Sequence, residues 1–84
     1  MFTVIWSDEA FEQMDGIVRG NPDRKIEFAR ALGILNDRLT RDPVHEGESR
    51  WGDVRVTFPD PLTVYFQVDE GAETVRVAQV ELTR

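Results

Sequence analysis

The stretch VRVTFPDPLTVYFQVDEG, residues 54 to 71, decides the fold because apolar residues alternate with polar ones on both sides of a Pro-Asp-Pro segment. An apolar residue at every second position is typical of a strand with one face on the core. The stretch therefore predicts two antiparallel strands joined by a tight turn. The apolar positions are Val54, Val56, Phe58, Leu62, Val64, Phe66 and Val68, and the polar positions of the second strand are Thr63, Tyr65 and Gln67.

The length of the turn sets which residues of the two strands face each other. A turn that pairs Phe58 with Leu62 places Arg55 opposite Tyr65 on the polar face of the hairpin. Arg55 beside Tyr65 is then either an ordinary cross-strand contact or a contact for a phosphate and a stacked base. Both interpretations remain open at this point.

A third strand begins after DEGAE, within TVRVAQVEL, residues 74 to 82. Its apolar residues occupy odd positions up to Val77 and even positions from Ala78 onward. A bulge near Ala78 or burial on both faces would explain this change. If Val68 pairs with Val75, a bulge in the third strand brings Thr63 towards Glu81. The polar face of the hairpin therefore acquires an acidic neighbour.

The first half of the chain predicts one strand and two helices. FTVIWS, residues 2 to 7, alternates and is rich in β-branched and aromatic residues, as strands are. Ser7 is placed as an N-cap for a helix that ends near Gly20, and Asn21 is placed as the cap of a second helix. The second helix begins at Pro22 and runs to about Arg41. The polar segment PVHEGESRWG that follows predicts a loop.

Composition limits the class of protein and its partners. The 84 residues predict a single domain, residues 1–84, and the absence of cysteine favours the cytoplasm over an oxidising compartment. We expect neither a signal peptide nor a membrane span. The net charge of −6 opposes direct nucleic-acid binding, which depends on cationic side chains. No metal-ligand or cofactor motif is present, so we expect no metal and no cofactor.

The element order, with DP closing the second helix, GES before the sheet and VYFQVDE before VRVAQV, resembles the RelE/ParE toxin superfamily of type II toxin–antitoxin systems. The resemblance spans nearly the whole chain. It implies an α+β fold of order β-α-α-β-β-β, a four-stranded antiparallel sheet with the helical hairpin on one face. The expected core is Phe2, Val4, Trp6, Phe11, Met14, Ile17, Phe28, Leu32, Leu35, Leu39, Val56, Val64, Phe66, Val77 and Val80.

The resemblance also names candidate catalytic residues. RelE-like ribonucleases use basic residues on the open face of the sheet, with an arginine and a tyrosine near the C-terminus. Here the middle-strand arginine position holds Thr63, the preceding strand offers only Arg55, and the C-terminal contribution is reduced to Arg84. The candidates are therefore Arg55, Tyr65 and Arg84, a set lacking most of the cations that phosphoryl chemistry requires.

Three functions follow as hypotheses from the resemblance. The first is a toxin-like component that binds proteins in the manner of ParE, with a cognate antitoxin as partner and DNA gyrase as a target. The second is a ribosome-dependent mRNA endoribonuclease with a reduced site. The third is a non-toxic scaffold or interaction protein of the same fold. Whether the chain is an enzyme stays open, and the residues favour a non-enzymatic role, with plasmid stabilisation among the roles that the superfamily implies.

Candidate partner-binding residues lie in two places. Trp51, next to Arg50 in ESRWGD, either packs under the sheet edge or anchors a partner. The second helix is the net-positive element and carries Arg30, Arg38 and Arg41. These arginines either contact an acidic partner or pair with helix carboxylates three or four residues away.

Overall fold

A computed structural model describes residues 1–83 as a five-stranded sheet with two helices. The elements are β1 (Thr3–Trp6), α1 (Asp8–Gly20), a 3₁₀ turn (Pro22–Arg24), α2 (Lys25–Arg41), a second 3₁₀ turn (Pro43–His45), β2 (Glu48–Trp51), β3 (Val54–Thr57), β4 (Leu62–Asp69) and β5 (Thr74–Leu82). The predicted α+β class and the order of the predicted elements are confirmed.

The sheet, of strand order β1-β5-β4-β3-β2, differs from the prediction in two details. β2 forms within the segment predicted as a loop, because an edge strand whose residues are all exposed carries no apolar alternation. Short turns make β2 to β5 antiparallel, whereas β1 pairs with β5 in parallel. A tight turn forces the two strands that it joins to run antiparallel. No such turn joins β1 to β5, so these two strands can pair in parallel.

The register of the β3–β4 hairpin differs by one residue from the predicted one. The last pair before the turn is Thr57 with Val64, so the turn is longer than the predicted Pro-Asp-Pro turn. Arg55 lies opposite Phe66, and Val56 lies opposite Tyr65. Because a shift of one residue exchanges the two faces of a strand, the predicted pairing of Arg55 with Tyr65 is wrong.

The slip in the apolar phase of β5 is a bulge at Ala78, one of the two explanations that the sequence left open. Tyr65 pairs with Gln79 and Phe66 pairs with Val77, which leaves Ala78 as the extra residue of β5. β1 pairs with β5 only as far as Val77.

From the bulge onward, side chains of the α1 cap and of α1 itself take over from the β1 backbone as hydrogen-bond partners of β5. The Ser7 hydroxyl donates to the Ala78 carbonyl at 3.2 Å. The Val80 amide donates to Gln13 Oε1 at 2.7 Å. The backbone groups of β5 that β1 would otherwise pair with are thus satisfied by α1.

The helix ends were largely readable from local sequence. Ser7 caps α1 as predicted and accepts the Ala10 amide at 3.0 Å. Asn21 was predicted to cap the second helix, but its side chain makes no capping hydrogen bond there. Its Nδ2 donates instead to the Ile17 carbonyl of α1 at 2.9 Å. Arg24 donates to Glu27 at 2.7 Å at the start of α2, and this hydrogen bond lowers the pKa of Glu27.

The main core lies between the helices and one face of the sheet, and it consists of buried residues Ala10, Met14, Phe28, Ala31, Leu35, Leu39, Leu62, Val64, Phe66, Val75, Val77 and Val80. Phe11 was predicted to lie there, but it is 66% exposed and Ala10 is buried in its place. Both positions fit the apolar stripe of α1, so the pattern alone did not separate them. Val56 is fully buried, as predicted, but on the other face of the sheet.

Within residues 1–83, neither helix is long and apolar enough to cross a membrane.

Gly47, just before β2, and Gly52, in the turn after β2, test how closely the backbone packs at these two positions. Both have a positive φ, +65° and +54°, but only at Gly47 would an added Cβ overlap the Val56 carbonyl. We expect Gly52→Ala to lower the free energy of unfolding by about 1–2 kcal/mol, the cost of a left-handed backbone. Gly47→Ala should cost clearly more, because the backbone must move. Urea unfolding of both variants measures the difference, and equal losses would contradict the close packing of Gly47 on β3.

Candidate partner-binding surfaces

An apolar groove of about 510 Å³ lies on the helix side of the molecule. Its lining residues are Trp6, Phe11, Met14, Asp15, Val18, Leu32 and Asn36, contributed by β1 and both helices. Met14 is buried, whereas Phe11 presents two-thirds of its surface to solvent. An exposed aromatic residue beside a concave apolar surface is the usual form of a protein-docking site.

The α1 side of this groove is acidic. Asp15 lines the groove, and Asp8 and Asp15 lie three and four residues from Phe11, the spacings of neighbouring side chains on a helix, while Glu12 is the next residue along α1. Arg19 pairs with Asp15 at 3.0 Å, while Asp8 and Glu12 form no ion pair among residues 1–83. A segment with apolar anchors and nearby cations would complement this groove.

A second exposed surface is the face of the sheet opposite the helices, here called the open face. Trp51 on β2 and Tyr65 on β4 meet above β3, with ring centroids 5.8 Å apart and an interplanar angle of 33°. Val56 lies opposite Tyr65 and is fully buried, which places it beneath the two rings. Trp51 itself stays 60% exposed. Trp51 packs against Tyr65 and still presents a free aromatic surface to solvent. Packing on the sheet and anchoring a partner are therefore compatible roles for this residue.

Carboxylates flank the aromatic pair. Glu81 Oε1 accepts the Tyr65 hydroxyl at 3.4 Å, and Glu81 Oε2 accepts Gln79 Nε2 at 3.5 Å. Glu48 faces Val56 on the same face. Thr63 lies opposite Glu81 as predicted, but its side chain is buried and shares a hydrogen bond of 2.7 Å with Thr83.

Arg55 lies on the helix side of the sheet and is held by backbone groups. Its Nε donates to the Glu46 carbonyl at 3.0 Å and its guanidinium also donates to the Gly47 carbonyl at 3.1 Å. The Glu46 carboxylate accepts the Thr57 hydroxyl at 2.5 Å and pairs with Arg38 at 3.5 Å. Arg55 therefore holds the segment before β2 against β3, away from the open face.

The candidate catalytic residues are thus not assembled into one site within residues 1–83. Tyr65 is on the open face and Arg55 on the opposite one. Arg84 lies outside the described residues. In the same part of the chain no cluster of His, Cys, Asp and Glu could hold a metal ion.

Of the arginines predicted to bind a partner, two form ion pairs and two are exposed on the surface. Arg38 pairs with Glu46 at 3.5 Å, and Arg41 pairs with Asp37 at 3.0 Å. Arg30 is exposed on α2, and Arg50 is exposed on the edge strand β2. None of these four arginines lines the apolar groove. The groove could not be predicted from the sequence, because its floor depends on how α1 packs against β1 and α2.

Two solved structures resemble the whole chain. A chain of the chromosomal ParDE TA system from P. aeruginosa aligns with a TM-score of 0.79 and 15% identity, covering 100% of this chain and 98% of that one. The conserved hypothetical protein HP0892 from Helicobacter pylori aligns with a TM-score of 0.61 and 14% identity, covering 98% and 94%. No protein-family model and no curated protein matches the sequence. At these identities the likeness shows the fold, and the predicted RelE/ParE fold is confirmed.

A stability measurement tests whether Arg55 holds the backbone. Arg55→Ala leaves the Glu46 and Gly47 carbonyls without their cationic donor, so we expect a loss of about 1–3 kcal/mol in the free energy of unfolding. The control Tyr65→Phe removes one long, exposed hydrogen bond and should change it by less than about 0.5 kcal/mol. Thermal or urea unfolding gives both values. A neutral Arg55→Ala would contradict the structural role.

Proposed function

We propose that the chain is the toxin-like component of a toxin–antitoxin pair, that it acts in the cytoplasm by binding proteins, and that residues 1–84 form a single RelE/ParE-like domain. Its apolar groove would receive a segment of the cognate antitoxin. The observation that carries the proposal is the groove around Phe11 on a fold shared with a chain of a ParDE TA system.

The shape and chemistry of the groove support a protein partner. Trp6, Phe11 and Leu32 offer an apolar surface that is concave and accessible. A helix or extended segment could insert apolar side chains there and place cations near Asp8 and Glu12. Such a contact buries apolar area and adds charge complementarity at its rim, the combination found in specific interfaces.

Charge and geometry favour a protein target over RNA. The chain carries a net charge of −6, and the aromatic pair of the open face has Glu48 and Glu81 as its neighbours. RNA phosphates would meet repulsion at these carboxylates. Arg55, the cation proposed for a nuclease site, is bound to backbone carbonyls on the other face. A protein such as DNA gyrase, which the resemblance implies, suits this surface better.

A growth experiment tests the proposal. Induction of the chain alone should arrest growth, and co-expression of the protein encoded by the adjacent reading frame should restore it. The two purified proteins should also form a stable complex. Unimpaired growth on induction, together with no complex, would refute the proposal and leave the non-toxic scaffold as the better hypothesis.

Two phenylalanine variants test the groove itself. Phe11 and Phe58 are both exposed, at 66% and 51%, but only Phe11 lines the groove. We expect Phe11→Ser to weaken antitoxin binding by about 2 kcal/mol or more, as removal of a central aromatic anchor does. Phe58→Ser should leave binding within about 0.5 kcal/mol of the original protein. Calorimetry measures both, and equal effects would place the interface elsewhere.

The ribonuclease alternative makes a different prediction. When a reporter message is translated in vitro with the purified chain, we expect no codon-positioned cuts in the mapped 5′ ends. Cuts that disappear in Tyr65→Phe but persist in Phe11→Ser would instead establish a nuclease site on the open face. Tyr65 is the informative position, because Arg55 variants are expected to lose stability.

A further inference from the structure

The open face presents a small surface whose features all suit a positively charged side chain. Trp51 and Tyr65 form a tilted aromatic pair, and the Trp51 ring is largely free. Aromatic rings attract cations through the negative potential of their faces, by about 0.5–1 kcal/mol at exposed sites. This surface lies on the side of the sheet opposite the helix groove and shares no residue with it.

The carboxylates of the open face lack cationic partners within the described part of the chain. Neither Glu48 nor Glu81 takes part in any ion pair there. Glu81 accepts two long, exposed hydrogen bonds, from the Tyr65 hydroxyl at 3.4 Å and from Gln79 Nε2 at 3.5 Å, and it also lines a shallow pocket with Thr63, Leu82 and Thr83. A carboxylate beside an aromatic ring is an environment that arginine and lysine side chains occupy at interfaces.

Two arginines of the described residues lie near this surface, but neither pairs with Glu48 or Glu81. Arg76 is on the open face but lies opposite Gln67, near Ile5 of β1 at the other side of the sheet. Arg50 is exposed on the edge strand β2 next to Trp51. Among residues 1–83, no cation forms an ion pair with Glu48 or Glu81, so the described surface between Glu48, Tyr65 and Glu81 is acidic and aromatic.

We infer that the open face is a second docking surface, which binds a basic segment of a protein partner by taking its arginine or lysine side chains against Trp51, Tyr65, Glu48 and Glu81. This inference extends the proposed function, on which its biological meaning rests, by assigning the target to the face opposite the antitoxin groove. Charge complementarity between cationic side chains and this acidic, aromatic surface favours such an occupant.

The geometry sets the spacing of the cations. Glu48 on β2 and Glu81 on β5 are separated by three strand spacings across the sheet and by two residues along the strand, roughly 16 Å. An extended chain advances about 13–14 Å over four residues. Two basic residues four positions apart on an extended segment would therefore reach both carboxylates, with an aliphatic residue between them near Trp51.

A peptide titration tests the inference. The probe is acetyl-Arg-Ser-Val-Ser-Arg-amide, and the controls are the same peptide with both arginines replaced by citrulline or by glutamate. NMR of the full chain should show shifts at the Trp51 indole and the Tyr65 ring with the arginine peptide only. Binding should weaken as sodium chloride rises from about 50 to about 500 mM, since exposed charges are screened.

Matched variants locate the contact. Trp51→Ser and Glu81→Gln should each weaken binding of the arginine peptide about threefold to fivefold. Phe11→Ser, in the groove, and Arg76→Gln, at the far side of the open face, should leave it unchanged. Equal binding of the citrulline peptide, no saturable shift at millimolar arginine peptide, or preferential binding of a single-stranded RNA oligonucleotide would each overturn the inference.

The outcome is separable from that of the proposed function. The titration does not require toxicity, so peptide binding at Trp51 without growth arrest would support the docking surface and remove the toxin role. Growth arrest that survives both Trp51→Ser and Glu81→Gln would support the toxin role and exclude this face as the target surface. Loss of arrest in these variants, with antitoxin binding retained, is the expected result.

Discussion

The position of β4 between β3 and β5 is the constraint on which the rest of the structure depends. Leu62, Val64 and Phe66 are fully buried on the helix side, while Tyr65 faces the open side. Because neighbouring strands must place directly opposed residues on the same face, β4 sets the face of every residue in β3 and β5. The one-residue register of the β3–β4 hairpin is consequently what takes Arg55 to the helix side and away from the open face.

The bulge at Ala78 connects the sheet to the helical hairpin. At this point β1 leaves the edge of β5, and Ser7 begins α1. Gln13 then satisfies the Val80 amide, so the edge of β5 is covered without a longer strand. This arrangement brings β1 and both helices around one concave surface. The groove with its exposed Phe11 therefore forms where β1 leaves the edge of β5 and the chain turns into α1.

The two faces differ in chemistry but share an acidic character. The helix side has an apolar groove with carboxylates at its rim, and the open side has the Trp51–Tyr65 pair between Glu48 and Glu81. Both would be matched by protein segments that combine apolar and cationic side chains. The chain shares the fold of a chain of the ParDE TA system, and the acidic character of both faces is the reason why protein partners are proposed in place of a phosphate backbone.

The sequence by itself determined what depends on neighbouring residues: both helices, the Ser7 cap, the strand phase of β4 and the slip in the apolar phase of β5. These features follow from local hydrogen bonding and from periods of two or 3.6 residues. Only the tertiary structure decided which of two adjacent residues on α1 is buried, that a polar segment forms β2, and the face on which Arg55 lies. The physical reason is that these choices depend on contacts between distant segments, where a shift of one residue exchanges the core for solvent while leaving the sequence pattern unchanged.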